Sequence, residues 1–173
     1  MHVLFVCTAN IARSPYAERQ ARLIVGDAIG LSSAGVPGVA GESMDEQLAA
    51  LLRRRGGDSE GHVSRVLTEA VLETADLTLT FEFAQQMRIL DRWPERRDRV
   101  LGLHQFAAAL DRCDETLTGA ALLTAVDRAV GFNSTTMDVN DPHGRGRRAA
   151  AACAKEIDAV LDRILPRLAG SAG

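Results

Sequence analysis

The chain has 173 residues, of which 46% are hydrophobic and 25% are charged, and its formal net charge is −3 at pH 7. This length fits a single domain, residues 1–173, with a substantial core, which must be aliphatic because only 4% of residues are aromatic. The mildly acidic balance argues against a nucleic acid or an anionic membrane as the main partner. Three cysteines, with no secretory leader and no membrane-spanning apolar run, predict a reducing, cytoplasmic location.

The first third of the chain predicts two strand-loop-helix units. A short apolar run at residues 3–6 is typical of a buried strand, and a helical pattern follows over residues 16–25. A second strand is predicted at residues 28–34. Ser43 is the predicted N-cap of a helix that stops at Gly56-Gly57.

The same alternation continues through the middle of the chain. A short helix is predicted from Thr68, a strand over residues 76–80, a helix over residues 82–90 and a strand over residues 100–103. Alternating strands and helices at this pitch predict an α/β fold, a doubly wound, four-stranded parallel sheet with helices on both faces. Ligands of such sheets bind beyond the carboxyl ends of the strands.

The last third of the chain is predicted to be mostly helical. Residues 106–130 are rich in Ala and Leu and amphipathic, which favours one or two extra helices. A terminal helix is predicted over residues 149–168, followed by a frayed end at residues 170–173.

The most informative segment is the octet from Cys7 to Ser14, between the first strand and the first helix. Backbone N–H groups of this loop and the positive end of the helix dipole are expected to converge on the cysteine sulfur. Such a cup favours anions and a thiolate nucleophile at neutral pH. Arg13 returns to the rim, where its planar guanidinium can hold two oxygens of a phosphate. The predicted phosphate-binding residues are Thr8, Ala9, Asn10, Ile11, Ala12, Arg13 and Ser14.

Asp141 is the candidate general acid. A thiolate that attacks phosphorus must expel an alkoxide or phenoxide, so a proton donor is needed on the opposite side of the phosphate. Asp141 precedes Pro142 in a turn just ahead of the last helix, and the proline holds it in an extended conformation. The predicted catalytic residues are therefore Cys7, Arg13 and Asp141.

These residues resemble the low-molecular-weight protein tyrosine phosphatases. The octet is similar to the phosphate loop of that family, and Asp141-Pro142 resembles its general-acid loop. The resemblance implies that Cys7 is the nucleophile, Arg13 binds phosphate and Ser14 supports the thiolate. It also implies hydrolysis of a phosphomonoester through a cysteinyl-phosphate, with no cofactor and no metal, on a phosphorylated protein or a small phosphate ester. Similarity continues at Ser33-Ala34-Gly35, Gly61-His62, Ser64-Arg65 and residues 75–80.

Several positions depart from the family pattern. His143 stands where an aromatic residue usually follows Asp-Pro, and residues 36–41 offer no Trp or Tyr wall, which weakens the expectation of phosphotyrosine preference. Ala9 replaces a common glycine, and Ala12 replaces a frequent second cysteine. Residues 106–137 form a predicted helical insertion, which could be a lid, a subunit contact or a packed surface helix. The oligomeric state does not follow from the sequence.

Three further hypotheses remain open. One is an arsenate reductase that borrows an external low-molecular-weight thiol, since Cys113 and Cys153 are too far apart in sequence for an internal relay. Another is a phosphate-binding or phosphoprotein-binding module without turnover. The third concerns a positive rim of His143, Arg145, Arg147 and Arg148, which would attract an acidic or multiply phosphorylated partner unless these side chains merely solvate the surface.

Overall fold

The middle layer of the fold is a parallel sheet of four strands, seen in a computed structural model that describes residues 1–170. Its strands are β1 (His2–Cys7), β2 (Gly30–Gly35), β3 (Leu77–Thr80) and β4 (Val100–Gly102). The order is β2-β1-β3-β4, so β1 is central, and Phe5 pairs with Ser33 on one side and Leu79 on the other. This arrangement confirms the predicted doubly wound sheet and places the end of β1 in the middle of its carboxyl edge.

Helices cover both faces of the sheet. They are α1 (Arg13–Val25), α2 (Glu46–Arg54), α3 (Glu69–Glu73), α4 (Phe83–Arg92), α5 (Leu103–Leu110), α6 (Gly119–Ala129) and α7 (Gly146–Ala169). Side chains of β1 alternate between two cores because successive residues of a strand point to opposite faces. Val3, Phe5 and Cys7 pack in the larger core with α1, α2 and α5 to α7. Leu4 and Val6 pack in the smaller core with α3 and α4.

Two predicted boundaries are wrong in ways that bear on the site. The N-cap of α2 is Asp45 and not Ser43, because the carboxylate of Asp45 accepts hydrogen bonds from the backbone of Gln47 at 3.0 Å and Leu48 at 3.2 Å. The last helix begins at Gly146, three residues before its predicted start. Its first turn is polar and exposed, so a search for an apolar stripe misses it and starts near the first buried residue, Ala150.

The structure contains two helices, α5 and α6, in the region where one or two extra helices are predicted, although their bounds differ from the prediction. Strand β4 ends at Gly102, and Leu103 already belongs to α5. Helix α6 and a 3₁₀ turn, Thr135–Met137, complete this segment. Leu122 and Val126 of α6 are buried in the larger core.

No helix within residues 1–170 is both long and apolar enough to span a membrane. Of the predicted frayed end, residues 171–173 lie outside the described residues.

Candidate active site

The loop between β1 and α1 turns its backbone carbonyls outward. Five consecutive carbonyl oxygens accept hydrogen bonds from outside the loop: Cys7 from Val36 N (2.8 Å), Thr8 from Gly38 N (2.9 Å), Ala9 from Val39 N (3.3 Å), Asn10 from His62 Nε2 (2.7 Å) and Ile11 from Asp45 N (2.8 Å). The N–H groups of the same peptide units therefore face the inside of the loop. The N-cap of α1, Ala12, has no side chain that could occupy the helix N-terminus. A concave array of N–H groups at a helix N-terminus is suited to a tetrahedral anion.

Asn10 holds this loop in shape. Its φ of 61° lies in the left-handed region, which asparagine tolerates better than most residues. Its side chain is fully buried, with Nδ2 donating to Ser14 Oγ at 3.0 Å and to Ser33 Oγ at 2.9 Å. Its Oδ1 accepts from the backbone N–H of Arg65 at 2.9 Å. The amide group thus ties the loop to α1, β2 and the segment before α3.

The sulfur of Cys7 lies at the base of the loop, next to a serine hydroxyl. Cys7 Sγ is 3.0 Å from Ser14 Oγ, and both residues are buried. Because Ser14 Oγ already accepts from Asn10, its own hydrogen can go to Cys7 Sγ or to the Ala34 carbonyl, which is 3.3 Å away. A negatively charged sulfur attracts that hydrogen more strongly than a neutral carbonyl does. The contact therefore stabilises a thiolate.

Close backbone packing brings the loop against β2 and α4. A Cβ atom at Gly35 would lie 2.8 Å from the Ala9 carbonyl carbon, so only glycine fits at the end of β2. On the other side, Gln85 Nε2 donates to Thr8 Oγ1 at 3.0 Å. Gln85 Oε1 in turn accepts from the backbone N–H groups of Phe81 and Glu82. The loop is therefore fixed to both neighbouring strand-helix units.

Arg13 lies in the wall of the site, with only 1% of its surface exposed. Its NH1 pairs with Glu82 and donates to the Val139 carbonyl at 2.9 Å, and its NH2 lies 3.0 Å from Asp141 Oδ2. Its Nε is buried and has no hydrogen-bond partner within the described part of the chain. A buried donor without an acceptor is costly, which favours an anionic ligand at this position.

Asp141 reaches the site through a segment that is pinned to the β3–α4 connection. The backbone N–H of Val139 donates to the Phe81 carbonyl at 2.8 Å, and Asp138 Oδ1 accepts from the backbone of Phe83 at 2.7 Å. Asp141 itself keeps 46% of its side chain exposed. The three residues predicted as catalytic thus come together, since Arg13 follows the loop of Cys7 and contacts Asp141.

His143 extends from the Asp141 segment to the other wall. Its Nδ1 lies 3.3 Å from Asp45 Oδ2, and Asp45 also donates its backbone N–H to the phosphate loop at Ile11. The ring is 63% exposed and is not an apolar wall. Neither His143 nor residues 36–41 place an aromatic surface beside the loop.

Some residues of the site were missed by the sequence argument. Glu82 was assigned only to a helix start, yet it follows β3, the neighbour of β1, at the carboxyl edge where ligands bind. That position was the signal that could have found it. The sequence alone predicts no role for Ser33 and His62, although both contact Asn10 and Ser33 also donates to Glu18 Oε2 at 2.7 Å. Gln85 carried no recognisable signal.

Cys153, on α7, lies behind the Asp141 segment. It lines a cavity of about 240 Å³ together with Asp141 and Arg145. Burial raises the pKa of its thiol to about 12, so it is a neutral thiol under ordinary conditions. All three cysteines of the chain are free.

Comparison with known proteins agrees with this geometry. The family described as Low molecular weight phosphotyrosine protein phosphatase matches residues 2–118. Low molecular weight protein-tyrosine phosphatase A of Mycobacterium tuberculosis (strain ATCC 25618 / H37Rv) is 32% identical over 145 residues, 80% of this chain and 82% of the relative. The protein-arginine-phosphatase of Geobacillus stearothermophilus is 24% identical over 166 residues, 96% of this chain and 95% of the relative.

A solved structure supports the same assignment. The low molecular weight protein tyrosine phosphatase from T. tengcongensis superposes with a TM-score of 0.74 at 26% identity, covering 94% of this chain and 95% of that one. The family match covers more than half of the chain. The sheet order and the loop after β1 agree with that family. The chain therefore belongs to the low molecular weight phosphotyrosine protein phosphatase family, whose members are hydrolases.

Proposed function

We propose that the protein removes phosphate from phosphorylated protein side chains, with phosphotyrosine as the substrate, through a covalent phosphate on Cys7. The observation that carries this proposal is the buried, unpartnered Nε of Arg13 beside a loop whose N–H groups face inward. Together they form a site for the three equatorial oxygens of a phosphoryl group in its transition state. The sulfur of Cys7 lies beneath that site, where it can attack in line.

In the first step, Cys7 Sγ forms a bond to phosphorus while the bond to the leaving oxygen breaks. Asp141 gives its proton to that oxygen, so the product leaves as a neutral phenol. In the second step Asp141 takes a proton from a water molecule, the water oxygen attacks phosphorus, and the S–P bond breaks to release inorganic phosphate. Arg13 and the loop N–H groups hold the same three oxygens in both steps.

The contact between Arg13 and Asp141 implies that phosphate binds to Arg13 before Asp141 can reach the leaving oxygen. Asp141 Oδ2 lies 3.0 Å from Arg13 NH2. A dianionic phosphate competes for the same guanidinium with a larger charge, and so releases Asp141 toward the leaving oxygen. Substrate binding therefore fills the cup and frees the Asp141 carboxylate, which takes a proton from water before it acts as the acid.

Phosphoarginine is the second candidate substrate. A relative that matches 96% of this chain is named a protein-arginine-phosphatase, and neither His143 nor residues 36–41 supply a Phe, Tyr or Trp side chain against which a phenol ring could pack. The test is release of inorganic phosphate from matched peptides that carry phosphotyrosine, phosphoserine or phosphoarginine, with p-nitrophenyl phosphate as a small ester. We expect the phosphotyrosine peptide to have the highest kcat/KM. A higher value for phosphoarginine reverses the substrate assignment without changing the mechanism.

The covalent step is tested with Cys7→Ser and Cys113→Ser. Rapid acid quenching followed by mass spectrometry is expected to trap a phosphorylated peptide containing Cys7 in the parent and in Cys113→Ser. Cys7→Ser should lose turnover and still bind phosphate. Turnover that survives in Cys7→Ser contradicts the mechanism, and thiol-dependent reduction of arsenate without ester hydrolysis supports the arsenate reductase hypothesis instead.

A further inference from the structure

Four exposed arginines have no side-chain partner within residues 1–170. Arg54 lies in the last turn of α2, and Arg145, Arg147 and Arg148 lie at the start of α7. Among the described residues, none of these four side chains makes an ion pair. Their neighbours on α2 differ, because Arg53 pairs with Glu46 at 2.6 Å and Arg55 with Asp158 at 2.5 Å. The four form the arginine cluster.

The arginine cluster begins at the catalytic site and leads away from it. Arg145 lines the cavity of about 240 Å³ that also contains Asp141, and its backbone N–H donates to the Pro142 carbonyl at 3.0 Å. Arg147 and Arg54 line the next cavity, about 320 Å³, in the groove between α2 and α7. Helix α2, which forms one side of this groove, begins beside the loop after β1, because its N-cap, Asp45, donates its backbone N–H to the Ile11 carbonyl at 2.8 Å.

The charges of Arg145, Arg147 and Arg148 do not stabilise α7, the helix at whose start they lie. Cations at a helix N-terminus oppose the helix dipole, and α7 has neither an acidic residue in its first turn nor a side-chain cap. Nearby carboxylates already have other partners. Asp45 contacts His143, Glu46 contacts Arg53, Asp141 contacts Arg13 and Glu156 contacts His104. An anion from another molecule is therefore the partner that this surface lacks.

We propose that the arginine cluster binds acidic residues that flank the phosphorylated residue of a protein substrate. This inference rests on the proposed function, since it places the scissile phosphate in the loop after β1. Helix α2 has nine residues, so the groove along it is about 13 Å long at ~1.5 Å per residue. An extended peptide covers that length with about four residues. The cluster is local in a chain whose net charge is −3, which favours a short acidic segment over a long polyanion.

The test compares three phosphotyrosine peptides of one length. One has four glutamates before the phosphotyrosine, one has four glutamates after it, and one has glutamines at both places. We expect one of the glutamate peptides to exceed the glutamine peptide by about tenfold in kcat/KM at low ionic strength, and the difference to shrink with added salt. The variant Arg147→Glu/Arg148→Glu should lose this preference while its kcat/KM for p-nitrophenyl phosphate stays that of the parent.

The matched control is Arg97→Glu/Arg128→Glu, which makes the same change of charge at two exposed arginines outside the cluster. It should keep the preference for glutamate. Equal kcat/KM for all three peptides in the parent, or equal loss in both double variants, overturns the proposal. So does inhibition of p-nitrophenyl phosphate hydrolysis by polyuridylate but not by polyglutamate.

The proposed phosphatase activity and the docking role of the arginine cluster can be disproved independently of each other. If the parent hydrolyses no phosphate ester, the proposed function is wrong. Calorimetry of the three peptides with Cys7→Ser still measures the arginine cluster, because it needs no turnover. Tighter binding of a glutamate peptide, lost in Cys7→Ser/Arg147→Glu/Arg148→Glu, then supports the cluster as an acidic docking surface. Equal affinities refute it.

Discussion

Asn10, Arg13 and Ser14 are almost completely buried, whereas Asp141 leaves 46% of its side chain exposed. The half of the site around Cys7 is crosslinked by side-chain hydrogen bonds to β2, α4 and the segment before α3. The half around Asp141 is anchored at Asp138 and Val139, which lie three and two residues before Asp141. In the proposed mechanism the first half needs no rearrangement, and the second changes partner during the reaction.

The largest expected effect comes from replacing Asp141, in the exposed half of the site, with a residue that has no proton to donate. Asp141→Asn keeps the size of the side chain but has no proton to donate, so kcat should fall by about 10² to 10³ for phenyl phosphate. The loss should be smaller for p-nitrophenyl phosphate, whose leaving group needs less protonation. Steady-state kinetics with both esters measure the difference. Asp127→Asn, on α6, is the control, and equal losses for the two esters would remove Asp141 from the role of acid.

The next effect tests the rigidity of the buried half. Asn10→Ala deletes three hydrogen bonds and leaves alanine with a φ of 61°, so the free energy of unfolding should fall by ~3 kcal/mol. Ser33→Ala keeps the backbone conformation and should lose only ~1 kcal/mol. Urea denaturation gives both values. A loss in Asn10→Ala no greater than that in Ser33→Ala would mean that the loop is not held by this amide.

A smaller effect is expected at the junction of the two halves. Glu82→Gln replaces the charged partner of Arg13 with a neutral one, and Arg13 is then less firmly oriented. We expect kcat/KM for p-nitrophenyl phosphate to fall by about tenfold, with circular dichroism and thermal stability close to those of the parent. Full activity in Glu82→Gln would show that Val139 and Asp141 suffice to position the guanidinium.

The smallest effect is a pH dependence of stability. Burial lowers the pKa of His62 below its usual 6.5, so the folded state disfavours the protonated ring. The contribution of neutral His62 to the free energy of unfolding is fully present above pH 6.5, the pKa of the unfolded state. It is lost as the pH falls from 6.5 toward the lower pKa of the folded state. Tm of His62→Gln should therefore decline less steeply than that of the parent between pH 7 and about pH 5. Burial of His2 lowers its pKa as well, and leaves a residual slope. Parallel curves would contradict the assignment to His62.

The sequence predicted the buried half better than the exposed half. Cys7 and Arg13 are six positions apart, so strand, loop and helix bring them together by local geometry alone. Pro142 likewise marks the extended backbone of Asp141 locally. Two partners of Arg13, Val139 and Glu82, do not follow from such local geometry, because they lie 126 and 69 residues away in the sequence. The N-cap of α2 was placed two residues early for the same reason, since Asp45 is also held by Ile11.

The sequence by itself therefore determined the alternation of strands and helices, the loop after β1 and the position of Asp141 before Pro142, where we propose a general acid. Each of these depends on neighbours along the chain, through backbone preferences and hydrophobic periodicity. Only the tertiary structure decided which groups orient Arg13, how Asn10 is satisfied and where the arginine cluster lies relative to Asp141. Those relations arise when separate strand ends and helix starts meet at one edge of the sheet, and no local pattern encodes such distances.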